Sequence, residues 1–81
     1  MTDAATWIHD FALAASATEL SEHDRQSILA LAGVAAHSSE RLAAPLTCWV
    51  AAAAGLSPDA ALEIARSVAA TVTNDVRASD Q

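Results

Sequence analysis

Three histidines (His9, His23, His37), one cysteine (Cys48) and ten carboxylates are the side chains in this 81-residue chain with the chemistry for catalysis or metal binding. The histidines recur 14 residues apart, which gives no local ligand pair, because two ligands on one helix sit three or four residues apart. No metal site is expected. Cys48 follows Thr47 in what should be the first turn of a helix, where the dipole lowers a thiol pKa. A nucleophile there needs a base, and His37 is the one imidazole that a tight turn could bring near; the simpler reading is a small buried apolar residue. Glu22, Asp24, Asp59 and Glu63 fall at helix starts and on polar faces, so they complement dipoles rather than form a catalytic pair. Two glycines cannot build a phosphate-cradling loop, and the Asp-Ser-Leu attachment motif of a carrier protein is missing. No nucleophile, base and orienting group fall together, so no catalytic residue is assigned and an enzyme is not expected.

The most informative stretch is 36–47, Ala-His-Ser-Ser-Glu-Arg-Leu-Ala-Ala-Pro-Leu-Thr. It sets the imidazole of His37, the guanidinium of Arg41 and the hydroxyl of Thr47 around a helix N-terminus, whose free N–H groups favour an anion. Two readings stay open. One is a recess for an anion or phosphate. The other is a structural corner, in which His37 and Arg41 bond the last carbonyls of the preceding helix and Pro45 fixes the turn.

The elements that must position these residues are helical. Ala, Leu, Glu, Gln and Arg dominate and strand-type alternation is nearly absent, so the fold expected is all-α, a compact arrangement of four helices with short loops. The first helix starts after Thr2 or Asp3 and runs to about Ser16, with Trp7, Ile8 and Phe11 on one face. Ser21 to Asp24 has capping-box spacing and opens the second helix, which runs through Ala36. Pro45 suits the first position of a third helix, with Ala44 as a weak N-cap. That helix, Pro45 to Ala54, is apolar all round and is expected to be the buried one; Gly55 ends it in the left-handed conformation. Ser57-Pro58-Asp59 starts the fourth, whose apolar positions run from Ala61 to Val76 and which ends between Asn74 and Arg77. The chain reads as one domain over 1–81, ordered over about 3–76, with a frayed C-terminus.

Composition bounds the partners. Ten acidic residues face four arginines and no lysine, a net charge of −6, which excludes nucleic acid and anionic membrane surfaces as partners. The longest uncharged run, Leu42 to Pro58, is interrupted by Pro45 and Gly55 and is too short to span a bilayer. With Asp3 and Asp10 inside the only signal-like segment and a lone cysteine, the expected location is cytoplasmic. Of 43 hydrophobic residues 22 are alanine, so the core is thin and stability should depend on a partner or a second copy.

Trp7, Leu29, Ala36, His37, Arg41, Ala43, Ala44, Pro45, Leu46, Thr47 and Gly55 carry a resemblance, over about residues 5–72, to a small all-helical family of unknown function from high-GC Gram-positive bacteria. Leu42 and the alanines of the third helix depart from that family's Pro and Gly. Members resemble stand-alone short proteins or C-terminal tails of molybdenum-cofactor guanylyltransferase-like enzymes, some associated with formate dehydrogenase maturation. The resemblance implies a non-enzymatic accessory or adaptor domain, with a maturation protein as partner and molybdopterin guanine dinucleotide as the cofactor concerned. Trp7 and Trp49 are then the candidate partner-contacting residues, and His37, Arg41 and Thr47 the candidate binding residues. The alternatives are a homodimeric structural module without a ligand and a small anion-binding domain.

Overall fold

Each helix start can be traced to the few side chains around it. The computed structural model describes residues 3–79 of the chain, with side chains as far as residue 71. Asp3 opens α1 (Ala4–Ala14), its Oδ1 accepting from the Thr6 amide at 2.8 Å. Ser21 opens α2 (Glu22–Ser38), its Oγ accepting from the Asp24 amide at 3.0 Å. Ser57 opens α4 (Pro58–Ser79), its Oγ accepting from the Ala60 amide at 3.1 Å. In each case a short oxygen-bearing side chain satisfies an amide that has no partner within the helix. The fold is all-α, with four helices and no strand among the described residues.

Helix α3 (Ala43–Ala53) starts differently, because Leu42 at its N-cap position offers no side-chain acceptor. The amides of Ala43 and Ala44 instead donate to the carbonyls of Glu40 and Arg41 at 2.9 and 3.2 Å. The helix therefore begins two residues before Pro45, and the proline occupies its third position rather than its first. Proline is tolerated throughout a first turn, where its missing N–H has no intrahelical acceptor. Two other boundaries move as well. Helix α2 extends through His37 and Ser38 into the expected break, and α4 continues to Ser79, past the expected end between Asn74 and Arg77. The side chains of Val72 and Val76 lie outside the described residues, as do residues 80–81 of the C-terminal tail expected to fray beyond about residue 76.

Helices α1 and α3 end in the same way. After α1, Ser16 adopts φ +57°, and the amides of Ser16 and Ala17 donate back to Leu13 and Ala12. After α3, Gly55 adopts φ +76°, and the amides of Gly55 and Leu56 donate back to Ala52 and Ala51. Both are paired left-handed terminations of the Schellman type. Only the second has the residue that enters this conformation without a Cβ penalty.

The central element is α2, not α3. Helix α2 packs along both α3 and α4 and carries Leu31, the one large side chain that is fully buried among the described residues, at 2% exposure. Ala12, Ala61 and Ser27 are the other buried residues. The expectation that α3 is buried is corrected: it has no buried residue, and Trp49 is 78% exposed. An all-round apolar helix marks a core position only when neighbours cover both of its sides. Here α2 covers one side of α3, and α1 lies outside this close packing and does not cover the other.

Candidate functional site

The polar groups that the fold draws together converge on Asp59. Its carboxylate accepts from the Ser27 hydroxyl and from His23 Nε2, at 2.7 Å to Oδ2. A serine, a histidine and an aspartate in contact invite comparison with a nucleophilic triad, but the order is wrong. In a triad the histidine stands between serine and acid and takes the serine proton. Here the acid stands in the middle, so Ser27 donates to a carboxylate and has no imidazole to take its proton, and the residue is buried. The arrangement is a clasp tying the first turns of α2 and α4. The hydrogen bond from Ser27, and then that from His23, hold the Asp59 carboxyl below its ordinary range, while Asp59 in turn raises His23. A second clasp joins His9 of α1 to Glu19 in the following turn, and Glu19 raises the His9 pKa.

The sequence-derived binding residues do not meet in one recess. His37 is exposed, and its Nδ1–H donates to the Gly33 carbonyl at 2.8 Å, folding the ring back onto its own helix. Arg41 is exposed and makes no hydrogen bond or ion pair within the described residues. Thr47 is half-buried and lines an apolar groove whose lining includes neither His37 nor Arg41. The α3 N-terminus also has few donors to offer, since Ala43 and Ala44 already bond backbone carbonyls and Pro45 has no N–H. Cys48 sits half-buried beyond the first turn of α3, and burial pushes its thiol pKa up, away from a reactive thiolate. Among the described residues no three His, Cys, Asp or Glu side chains are grouped to hold a metal ion.

The most distinctive surfaces are apolar. On α1, Trp7 is 60% exposed and stacks obliquely on Phe11, with ring centroids 6.5 Å apart. Beneath this helix a cleft of about 390 Å3 runs between Ala4 and Ile8 on one side and Leu20, Ile28 and Leu29 on the other. On α3, Leu42, Leu46 and Trp49 form an outward stripe at helical spacing. Beside it opens a groove of about 360 Å3, walled by Val50 of α3 and by Ile64 and Val68 of α4, and floored by Leu31 and Val34 of α2.

Both tryptophans singled out from the sequence thus lie on open surface, with other large apolar side chains around them. The sequence reading missed the Asp59 clasp. His23 and Asp59 are 36 residues apart, and the only hint was that each falls in the first turn of its own helix. It also missed the groove, because helical periodicity identifies an apolar face but not whether a neighbour covers it. Among the described residues no helix is long and apolar enough to cross a membrane. No curated protein and no solved structure matches the chain. A family model described as a domain of unknown function, DUF6457, matches residues 1–81, and the chain belongs to that family.

Proposed function

We propose that this domain acts without catalysis, as an accessory module that docks onto another protein through the apolar face of α1. The observation that carries the reading is the exposed Trp7–Phe11 pair, with exposed Ile8 beside it on the helix. Large aromatic side chains left in contiguous apolar surface are the residues that dominate protein interfaces. His9 and Glu19 are engaged with each other on another side of α1, where they line the cleft. The resemblance of the segments around Trp7, Arg41 and Pro45 supplies the partner class. It is a molybdenum-cofactor maturation protein, with molybdopterin guanine dinucleotide as the group that this partner makes or hands to a formate-dehydrogenase-type enzyme.

Affinity purification of the tagged protein from a host grown with molybdate tests this reading, with wild type, Trp7→Ser and Arg41→Ala compared by mass spectrometry. Enrichment of a guanylyltransferase, a molybdoenzyme or its sulfurtransferase-like chaperone is expected with wild type and lost with Trp7→Ser. Loss with Arg41→Ala instead would move the contact to the α2–α3 corner. Recovery of the bait alone in all three samples overturns the proposal.

A further inference from the structure

We infer that the groove between α3 and α4 is covered by a second copy of this chain, in a two-fold dimer where the Leu46–Trp49 stripe of each copy seats in the other's groove. The first argument is area. Leu42, Leu46, Trp49, Val50, Ile64 and Val68 are each half or more exposed. Val50, Ile64 and Val68 line the groove while Leu42, Leu46 and Trp49 stand on the stripe beside it. So many large exposed apolar side chains on neighbouring surfaces mark an interaction site, of which a standard one covers roughly 800 Å2 per partner.

The second argument is self-complementarity. A two-fold contact requires one surface to carry both the projecting and the receiving element. Here they are adjacent: Val50 belongs to the wall of the groove, and Trp49, its neighbour in sequence, projects outward at 78% exposure. The third argument is charge. Two chains of net charge −6 repel each other, and that repulsion is least where the meeting surface carries little of the charge. Among the described residues the groove lining contains no ionisable side chain; its polar groups are the hydroxyls of Ser38, Ser39 and Thr47. A basic partner would find no acidic side chain among these lining residues to recognise. The fourth argument is need, since a domain whose described core holds one fully buried large side chain gains from covering the floor over Leu31. This assignment is independent of the partner proposed for α1, which uses a different face.

Sedimentation equilibrium or light scattering on the untagged full chain decides the matter. Wild type is expected at twice 8.3 kDa, and added salt should tighten the association by screening the repulsion between acidic copies. Trp49→Ser, which removes an exposed side chain and leaves intramolecular packing alone, should raise the dimer dissociation constant about 30-fold or more. Val68→Glu should yield monomer, with helicity followed by circular dichroism to separate dissociation from unfolding. Phe11→Ser should leave the dimer intact. A wild-type monomer into the high micromolar range, an open-ended polymer, or a dimer broken by Phe11→Ser but not by Trp49→Ser would each overturn the inference. Capture of a maturation protein by the Trp49→Ser monomer would show the α1 reading to stand or fall separately.

Discussion

Helices α1 and α3 have the same length and the same type of C-terminal turn, and each exposes a tryptophan, yet they are held by different means. Helix α1 carries polar contacts, the Asp3 cap in its own first turn and the His9–Glu19 clasp from its middle, and buries Ala12 alone. It lies outside the close helix packing. Helix α3 has no side-chain cap and no ion pair within the described residues, and is held by packing along α2. Polar contacts between exposed groups fix position but contribute little stability, whereas apolar packing stabilises in proportion to the area covered. Each helix therefore ends with an uncovered apolar stripe, for opposite reasons. In α1 too little of the helix is packed, and in α3 the packing covers one side of a helix that is apolar on all sides.

The largest way to break this comparison is Leu31→Ala. Removing the one fully buried large side chain should cost about 2–4 kcal/mol and lower the melting temperature by about 4–8 °C for each kcal/mol. Denaturant titration with amide exchange checks it. Amides of α3 should lose protection along with those of α2 and α4, and a cost under about 1 kcal/mol would show that Leu31 is not the hub.

A paired test at the two turns sharpens the comparison. Gly55→Ala should destabilise by about 1 kcal/mol, because nothing crowds the new Cβ and the penalty is the left-handed backbone alone. Ser16→Gly, at the matching position after α1, should stabilise by about 0.5–1 kcal/mol for the same reason with the sign reversed. Equal signs in thermal melts would mean that the two turns are not equivalent.

The smallest effect is on pH. His9 and His23 both have raised pKa values, chiefly from hydrogen bonds to Glu19 and Asp59. Their contribution is therefore fully present below the ordinary value of about 6.5 and is lost as pH rises through the raised folded values. Asp59 is lowered, so its contribution is present above the ordinary value of about 3.9 and lost as pH falls through the lowered folded value. The His23–Asp59 clasp should be strongest between about pH 4 and 6.5. Proton NMR titration of the imidazoles checks this: midpoints at or below those of a free histidine would dissolve both clasps. His9→Gln should speed amide exchange in α1 and leave α3 unchanged.

Much of the local structure was legible in the residues. Asp3, Ser21 and Ser57 mark three helix starts because capping depends on one side chain and an amide three residues away, and Gly55 marks a stop because its φ requires no Cβ. The α3 start was misplaced by two residues because proline's preference for the first position yielded to the backbone turn over Glu40 and Arg41. Ser16 gave no signal, since serine enters the left-handed region only where the surrounding hydrogen bonds enforce it. The two tryptophans were identified, but Asp59 was read as a dipole-complementing charge rather than as the meeting point of two helices.

By itself the sequence determined the all-α class, the number of helices, the N-caps of α1, α2 and α4, the acidic charge and the scarcity of large apolar side chains. Each of these depends on residue type or on spacings within a few positions. Tertiary structure alone decided that α2 rather than α3 lies at the centre, that His23 and Ser27 share Asp59, that His37, Arg41 and Thr47 do not converge, and that a groove stays open between α3 and α4. The physical reason is that periodicity specifies which face of a helix is apolar, while coverage of that face depends on crossing angles. In an alanine-rich chain, smooth helix surfaces admit several crossing angles at similar energy.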